Sequence, residues 1–204
     1  MTEFSHIAGD RMLDLVNTVE WRLGGPGREE DLTSYDRVLT WCRESGLLDA
    51  TEQEQLQALA GEDPRTAAAE LDRVVALRER VYEALFHGDE YAAEAIATAY
   101  RTTLGHSHLS RHGAGWRWSD NELTMATARH RITRGLMDLM SRDDLDRLHQ
   151  CEDATCGWVY LDTSPRRNRR WCVTSDCGDR NRSRAYYARQ QERKRAAQGQ
   201  GRSS

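Results

Sequence analysis

Four of the five cysteines fall in the last quarter of the chain, Cys151, Cys156, Cys172 and Cys177, in the pattern C-x4-C-x15-C-x4-C. Two close pairs separated by a longer loop are the usual way a chain delivers four thiolates to a tetrahedral structural zinc. A segment of about 45 residues cannot bury enough apolar surface to hold itself folded. A bound zinc supplies roughly 10–16 kcal/mol, which is ample. The spacing therefore points to one structural Zn2+ with Cys151, Cys156, Cys172 and Cys177 as ligands. The x4 gaps are wider than the commonest x2, and a reducible disulfide pair or an iron–sulfur cluster remain weaker readings of the same residues. Cys42, beside Trp41 on an expected helix, reads as a buried small hydrophobe.

Between and after the pairs the pattern is hairpin, then helix. "GWVYLDTS" (157–164) reads as a strand, "RRNRRW" (166–171) as its return, and "GDRNRSRAYYARQQERKR" as a helix carrying the last ligand near its start. That order is treble-clef-like. Tyr186 and Tyr187 are expected to anchor the helix on the hairpin, and Trp171 to belong to the module's core. Residues 165–204 carry 12 Lys+Arg against 3 Asp+Glu, although the whole chain is acidic, with a net charge of −4. Arginine supplies 11 of those 12 cations, and its planar fork suits phosphates and guanine edges. Arg166, Arg167, Arg169 and Arg170 from the loop, and Arg180, Arg182, Arg184, Arg189 and Arg193 from the helix, are therefore the candidate contacts to double-stranded DNA. On the helix, Arg180, Arg184 and Arg195 form one stripe, with Arg182, Arg189 and Arg193 nearly opposite. Two basic stripes suit a helix that projects from its module or lies between phosphate rows. Three alternatives use the same charge: a solvated helix pairing with an acidic first domain, which would mask it, or a zinc-stabilised adaptor for RNA or for protein.

The string C-x4-C-x-W-V-Y-L-D…R-R-W-C-x4-C-G-D-R resembles the CGNR zinc-finger family of bacterial proteins. "LDLVNTVEWR" (13–22) and "DLTSYDRVLTWCRESGLL" (31–48) are similar to the opening of the ABATE-type domain that precedes the finger in that family. The resemblance implies a transcription regulator, linked to stress, with the same four cysteines as ligands. It also marks Arg170, Trp171, Gly178 and Arg180 as signature positions. The family's asparagine is replaced here by Asp179. Aspartate caps a helix equally well but repels phosphate, so pairing with a neighbouring arginine is the expected role.

The fold class expected is mainly α. Residues 1–150 read as a helical sensing or dimerising domain with a small β-hairpin, 151–195 as a compact zinc module, and 196–204 as a low-complexity, disordered tail. Periodicity predicts a helix over 7–23, ended by "GGPG" (24–27), and another capped by Ser34 and closed at Gly46. "TEQE" (51–54) reads as a capping box, Asp63-Pro64 as a helix start, and Gly88-Asp89 as a stop followed by a cap. "HSHLSRHGAGWRWS" (106–119) reads as the hairpin, and "SDNE" (119–122) as a second capping box. Asn17, Thr18 and Arg129 are the candidate residues for a small-molecule effector, because polar groups at core-patterned positions need partners. His106, His108 and His112 suggest a second metal or a pH response, with plain surface histidines the simpler reading.

Several classes are excluded at this level. Apolar residues make up 38% and charged residues 30%, a polar but globular profile. No signal peptide or membrane-spanning run is read, so a cytoplasmic location with no membrane partner is expected, and a reducing compartment argues against a disulfide framework. Nucleophile-elbow, Walker and dinucleotide fingerprints are missing, and four thiolates leave zinc no open position. The expectation is a DNA-binding transcription regulator rather than an enzyme, partnered by duplex DNA, by an effector and by a second copy of itself.

Overall fold

The computed structural model describes residues 2–25 and 27–200, with side chains through Arg195. The first apolar run forms only a short helix, α1 (Arg11–Val16), capped by Asp10, whose carboxylate accepts from the Met12 N–H. The helix expected over 7–23 is cut at both ends. Gly9 lies in the left-handed region, φ +83°, against Leu161, where a Cβ would come within 3.2 Å of the carbonyl oxygen. Past Asn17 the chain extends into β1 (Val19–Glu20), which pairs antiparallel with β2 (Glu29–Glu30). Of the connecting "GGPG", Pro26 lies outside the described residues.

The next helices follow their sequence signals closely. α2 (Tyr35–Glu44) starts at a Ser34 cap, and Gly46 turns the chain at φ +69°. α3 (Ala50–Glu62) starts before the expected box, because Asp49 and Glu52 form the same reciprocal pair two residues earlier, both bonds 2.9 Å, just after the buried Leu48. α4 (Pro64–His87) opens on Asp63-Pro64 and ends at left-handed Gly88, and Asp89 caps α5 (Glu90–Gly105). The expected hairpin is β3 (Ser107–His112) with β4 (Gly115–Asp120). α6 (Thr127–Met140) starts later than "SDNE" predicts, since Ser119, the expected cap, is held in β4 with its hydroxyl against that of Ser110.

Leu13, Leu15, Val38, Trp41, Cys42, Leu56, Val74, Val81, Ile96, Ile132 and Leu136 fill the space between these helices. Fully buried Arg78 crosses it as a bidentate partner of Glu30, at 2.6 and 2.7 Å, tying β2 to α4. The cysteine segment continues the same core. β5 (Leu148–Gln150) pairs antiparallel with β6 (Val159–Leu161), and β6 lies on α1. Asn17 imitates a strand there: its amide donates to the Val159 carbonyl (2.9 Å) and accepts from the Val159 N–H (2.8 Å). The Leu161 N–H donates to the Ala8 carbonyl (2.7 Å).

The strand expected at 157–164 thus pairs with residues before the first ligand, not with the return at 166–171. Asp162 turns the chain away by accepting from the Ser164 and Arg169 N–H groups at 2.8 and 2.9 Å, which leaves 166–171 as a loop. The chain then enters α7 (Asp179–Gln200). The backbone of the expected tail at 196–204 is helical as far as Gln200, and residues 201–204 lie outside the described residues. The helices and three two-stranded sheets make this a mainly α fold.

Two outcomes follow from these contacts. Asn17→Ala strands both polar groups of Val159 and should destabilise the chain by about 1–3 kcal/mol, seen as one urea transition at lower midpoint. His130 is buried, stacked 4.9 Å from His106, and its pKa is lowered to about 4 by burial and then by Arg129 and His106. Its folded pKa lies below the unfolded one, so its contribution is full above about pH 6.5 and is lost as pH falls toward 4. Urea midpoints across that window should fall in the wild type and flatten in His130→Phe.

Candidate metal centre and nucleic-acid interface

The knuckle between β5 and β6 delivers the first pair of cysteines. The Cys151 N–H donates to the Trp158 carbonyl (2.8 Å), and the Cys156 N–H to the Asp153 carbonyl (3.1 Å). Gly157, at φ +75°, lets Arg22 of the first segment press on the knuckle, since a Cβ there would lie 2.7 Å from the Arg22 Cβ. Cys172 follows the loop, and a wide π-type turn over Thr174–Gly178 brings Cys177 to the base of α7. The four sulfurs lie within 4.8 Å of one another, with Cys156 and Cys172 at 3.6 Å and Cys172 and Cys177 at 3.5 Å. A tetrahedron of thiolates about 2.3 Å from zinc has edges of about 3.8 Å, so the donor set fits the ion.

All four cysteines are buried and none is in a disulfide. Their crowding divides them: Cys151 is drawn toward the thiolate by S–H groups of Cys156 and Cys172. Hydrogen bonding to Cys151 pushes Cys156 and Cys172 up, and burial pushes Cys177 up. A dication supplies the charge that lets all four ionise. Cys42 is fully buried, and burial likewise raises its thiol.

Fully buried Asp153 organises the base of α7. It accepts from the Thr155 N–H and hydroxyl (3.1 and 2.8 Å), Asn181 (2.8 Å), Arg180 (3.1 Å) and Arg184 (3.3 Å). Burial opposes its charge, yet the Thr155 and arginine donors hold it well below the usual carboxylate range. Arg180 also reaches Asp176 (2.7 Å) and the Cys177 Sγ (2.9 Å), and its guanidinium stacks 4.6 Å above Trp21. Such a donor to a ligand sulfur both orients the ligand and tunes it.

The candidate DNA contacts therefore divide. Arg169 stacks on Tyr160 at 4.1 Å and donates to the Trp171 and Cys172 carbonyls, so it is built into the loop. Arg180 and Arg184 are held by Asp153. Arg170 pairs with Glu152, Arg167 with Asp146, and Arg182 with Asp179, the residue that replaces the family's asparagine. Arg166, Arg189 and Arg193 are exposed and show no ion pair among the described residues. The expected masking by the acidic first segment is not what these pairs do: the carboxylates that hold α7's arginines are Asp153, Asp176 and Asp179. Tyr186 and Tyr187 do not anchor the helix. They are 53% and 65% exposed and pack edge-on against each other, because the helix leaves the finger before it reaches them. Trp171 is half-buried, packing against the core over Gly178.

In the helical part, Asn17 is spent on β6, and Thr18 donates to the Leu15 carbonyl and accepts from Arg78. Arg129 is paired with buried Glu70 at 2.7 Å. His106 stacks on His130 and His108 meets Asn121 at 2.9 Å. Among the described residues, the four cysteines are the one cluster able to hold a metal.

Sequence reasoning passed over Asp153, Asp162, Trp21 and Arg22. The first two carried a signal, an aspartate followed two residues on by Thr155 or Ser164, the usual spacing of an Asx turn. Trp21 and Arg22 close the family-like "LDLVNTVEWR", but their contacts with the finger arise only through folding.

Elemental analysis should find one zinc per chain. Cys177→Ser should lose it and, because the finger shares the main core, should lower the urea midpoint of the whole chain. Chelation should make residues 148–195 protease-sensitive.

Comparison with known families places these features. Residues 147–190 match the CGNR zinc finger, and residues 9–143 match ABATE, described as "Putative stress-induced transcription regulator". A search of curated proteins finds no match to the chain. The helical segment with its docked four-cysteine finger is therefore that of the ABATE family, and the chain belongs to it, ending in a CGNR zinc finger.

Proposed function

We propose that this regulator contacts duplex DNA through α7 and the arginine loop before it, with the finger as a rigid mount. The observation that carries the reading is the exposure of α7: residues 182–189 face solvent on every side, and the helix is held at its base alone. Its 22 residues span about 33 Å. A bare helix of this kind fits the major groove, about 12 Å wide. Arg182, Arg189 and Arg193 share one face with Tyr186, giving cations for phosphates and guanine edges beside a ring that can stack or donate. Arg166 from the loop extends the same charge, whereas Arg180 and Arg184 serve the contact by fixing the helix base and Arg169 by fixing the loop.

The helical segment is assigned to effector sensing or dimerisation, and the protein to binding rather than catalysis. Asn17, Thr18 and Arg129 are consumed by internal contacts, so the effector reading moves to another place. A groove of about 1010 Å³ beneath the β3–β4 hairpin, lined by Leu109, Trp116, Trp118, Arg131, Arg134 and Asp138, is large enough for a ligand. The exposed Trp116 and Leu109 on that hairpin serve equally for contact with a second copy.

Salt titration separates duplex DNA from an RNA or protein partner. About five neutralised phosphates give a log–log slope near −4.5. Arg189→Ala and Arg193→Ala should each weaken binding evenly across sequences and flatten that slope by about one. Neither should change zinc content. Tighter binding to single-stranded RNA than to duplex, or a slope near zero, would remove the proposal.

A further inference from the structure

The metal centre is not sealed. A crevice of about 150 Å³, lined by Ser5, Glu20, Trp21, Val173 and three of the ligand cysteines, Cys156, Cys172 and Cys177, opens beside it. Cys151 does not line it. The three sulfurs are not equivalent. The Cys177 Sγ is covered by the Arg180 guanidinium at 2.9 Å, whereas no guanidinium covers Cys156 or Cys172. Their sulfurs stand 3.6 Å apart, one from each cysteine pair.

We infer that Cys156 and Cys172 form an oxidation site, at which a small peroxide converts two zinc ligands into a disulfide and releases the metal. The crevice has room for a molecule of that size, and a zinc-bound thiolate, already deprotonated, is nucleophilic where an oxidant can reach it. One thiolate attacks a peroxide oxygen; the O–O bond breaks, hydroxide leaves, and a sulfenic acid forms. The second thiolate attacks that sulfur, expels the remaining oxygen as hydroxide and closes the S–S bond. Two thiolates lose two electrons in total and one hydrogen peroxide gains them. Only Cys151 and Cys177 then remain, too few to retain a tetrahedral ion.

The consequence reaches both halves of the chain. The Cys156 carbonyl accepts from the Arg22 N–H (2.9 Å), so the knuckle that moves is the one the first segment grips. α7 begins two residues beyond Cys177, with Asn181 bonded to the Cys177 carbonyl (2.9 Å), so loss of the metal loosens the base of the helix. That loosening alters DNA contact only if α7 is the reading element, and this clause rests on the function proposed above.

The test uses the full-length, zinc-loaded chain titrated with hydrogen peroxide. Released zinc is read with a chromogenic chelator, disulfides are mapped by mass spectrometry, and DNA affinity is measured in parallel. The expected result is loss of the one zinc with a Cys156–Cys172 disulfide, Cys42 and Cys151 staying reduced, and recovery with a dithiol plus zinc. Ser5→Phe, which adds a ring at an exposed lining residue that is not a ligand, should bind zinc normally and release it several-fold more slowly. Zinc retained under peroxide, a disulfide that includes Cys151, or release from Ser5→Phe as fast as from the wild type would each overturn the inference. A chain that holds no zinc before peroxide would overturn the metal centre and this inference together. Unchanged DNA affinity after zinc loss would instead count against α7 as the reading element and leave the oxidation site standing.

Discussion

Four buried sulfurs within 4.8 Å of one another are the constraint on which the rest of the chain depends. Without a cation they cannot all be charged, and as neutral thiols they are poor anchors for a loop-rich segment. A bound zinc would convert that repulsion into four bonds, which would fix the knuckle after β5, the turn before α7 and thereby the direction in which α7 leaves the protein. The short β5–β6 hairpin could not stand alone, since two strands are marginal in water. It is supported from one side by α1, through Asn17, and the four-cysteine site lies at its other end.

The finger is consequently part of the main core rather than a bead on a linker. Trp158 donates to the Val19 carbonyl (3.0 Å), Tyr82 receives the Gln150 amide, and Arg22 bridges Glu79 and the knuckle. Contacts of this kind transmit strain, because packed interiors do not deform continuously. A change felt by the helical segment therefore has a short mechanical route to the base of α7. Trp21, at a left-handed φ of +53° beneath Arg180, sits on that route.

The basic charge of the last quarter serves two different ends. Near the metal, arginines are spent internally: on Asp153, on backbone carbonyls and on the faces of Trp21 and Tyr160. Farther along α7 the same residue type is left to solvent, with Arg189 and Arg193 exposed. Arginine suits both, since its fork satisfies several acceptors at once and stays charged when partly buried. Composition alone cannot divide the two groups.

What the sequence determined by itself is what depends on near neighbours. The capped starts of α2, α4 and α5, the β3–β4 turn, and the paired cysteines with their fit to zinc are all written in spacings of a few residues. Where two local signals competed, the reading missed: Asp49 took the box expected at Thr51, and Ser119 was drawn into β4 instead of capping α6. Tertiary structure alone decided that the apolar run at 7–23 breaks around a short helix, because Gly9 and Asn17 meet a strand some 140 residues away in the chain. It also decided which arginines are spent on Asp153. The physical reason is the same in each case: a hydrogen bond or ion pair between distant residues outweighs helix periodicity, and no window along the chain contains both partners.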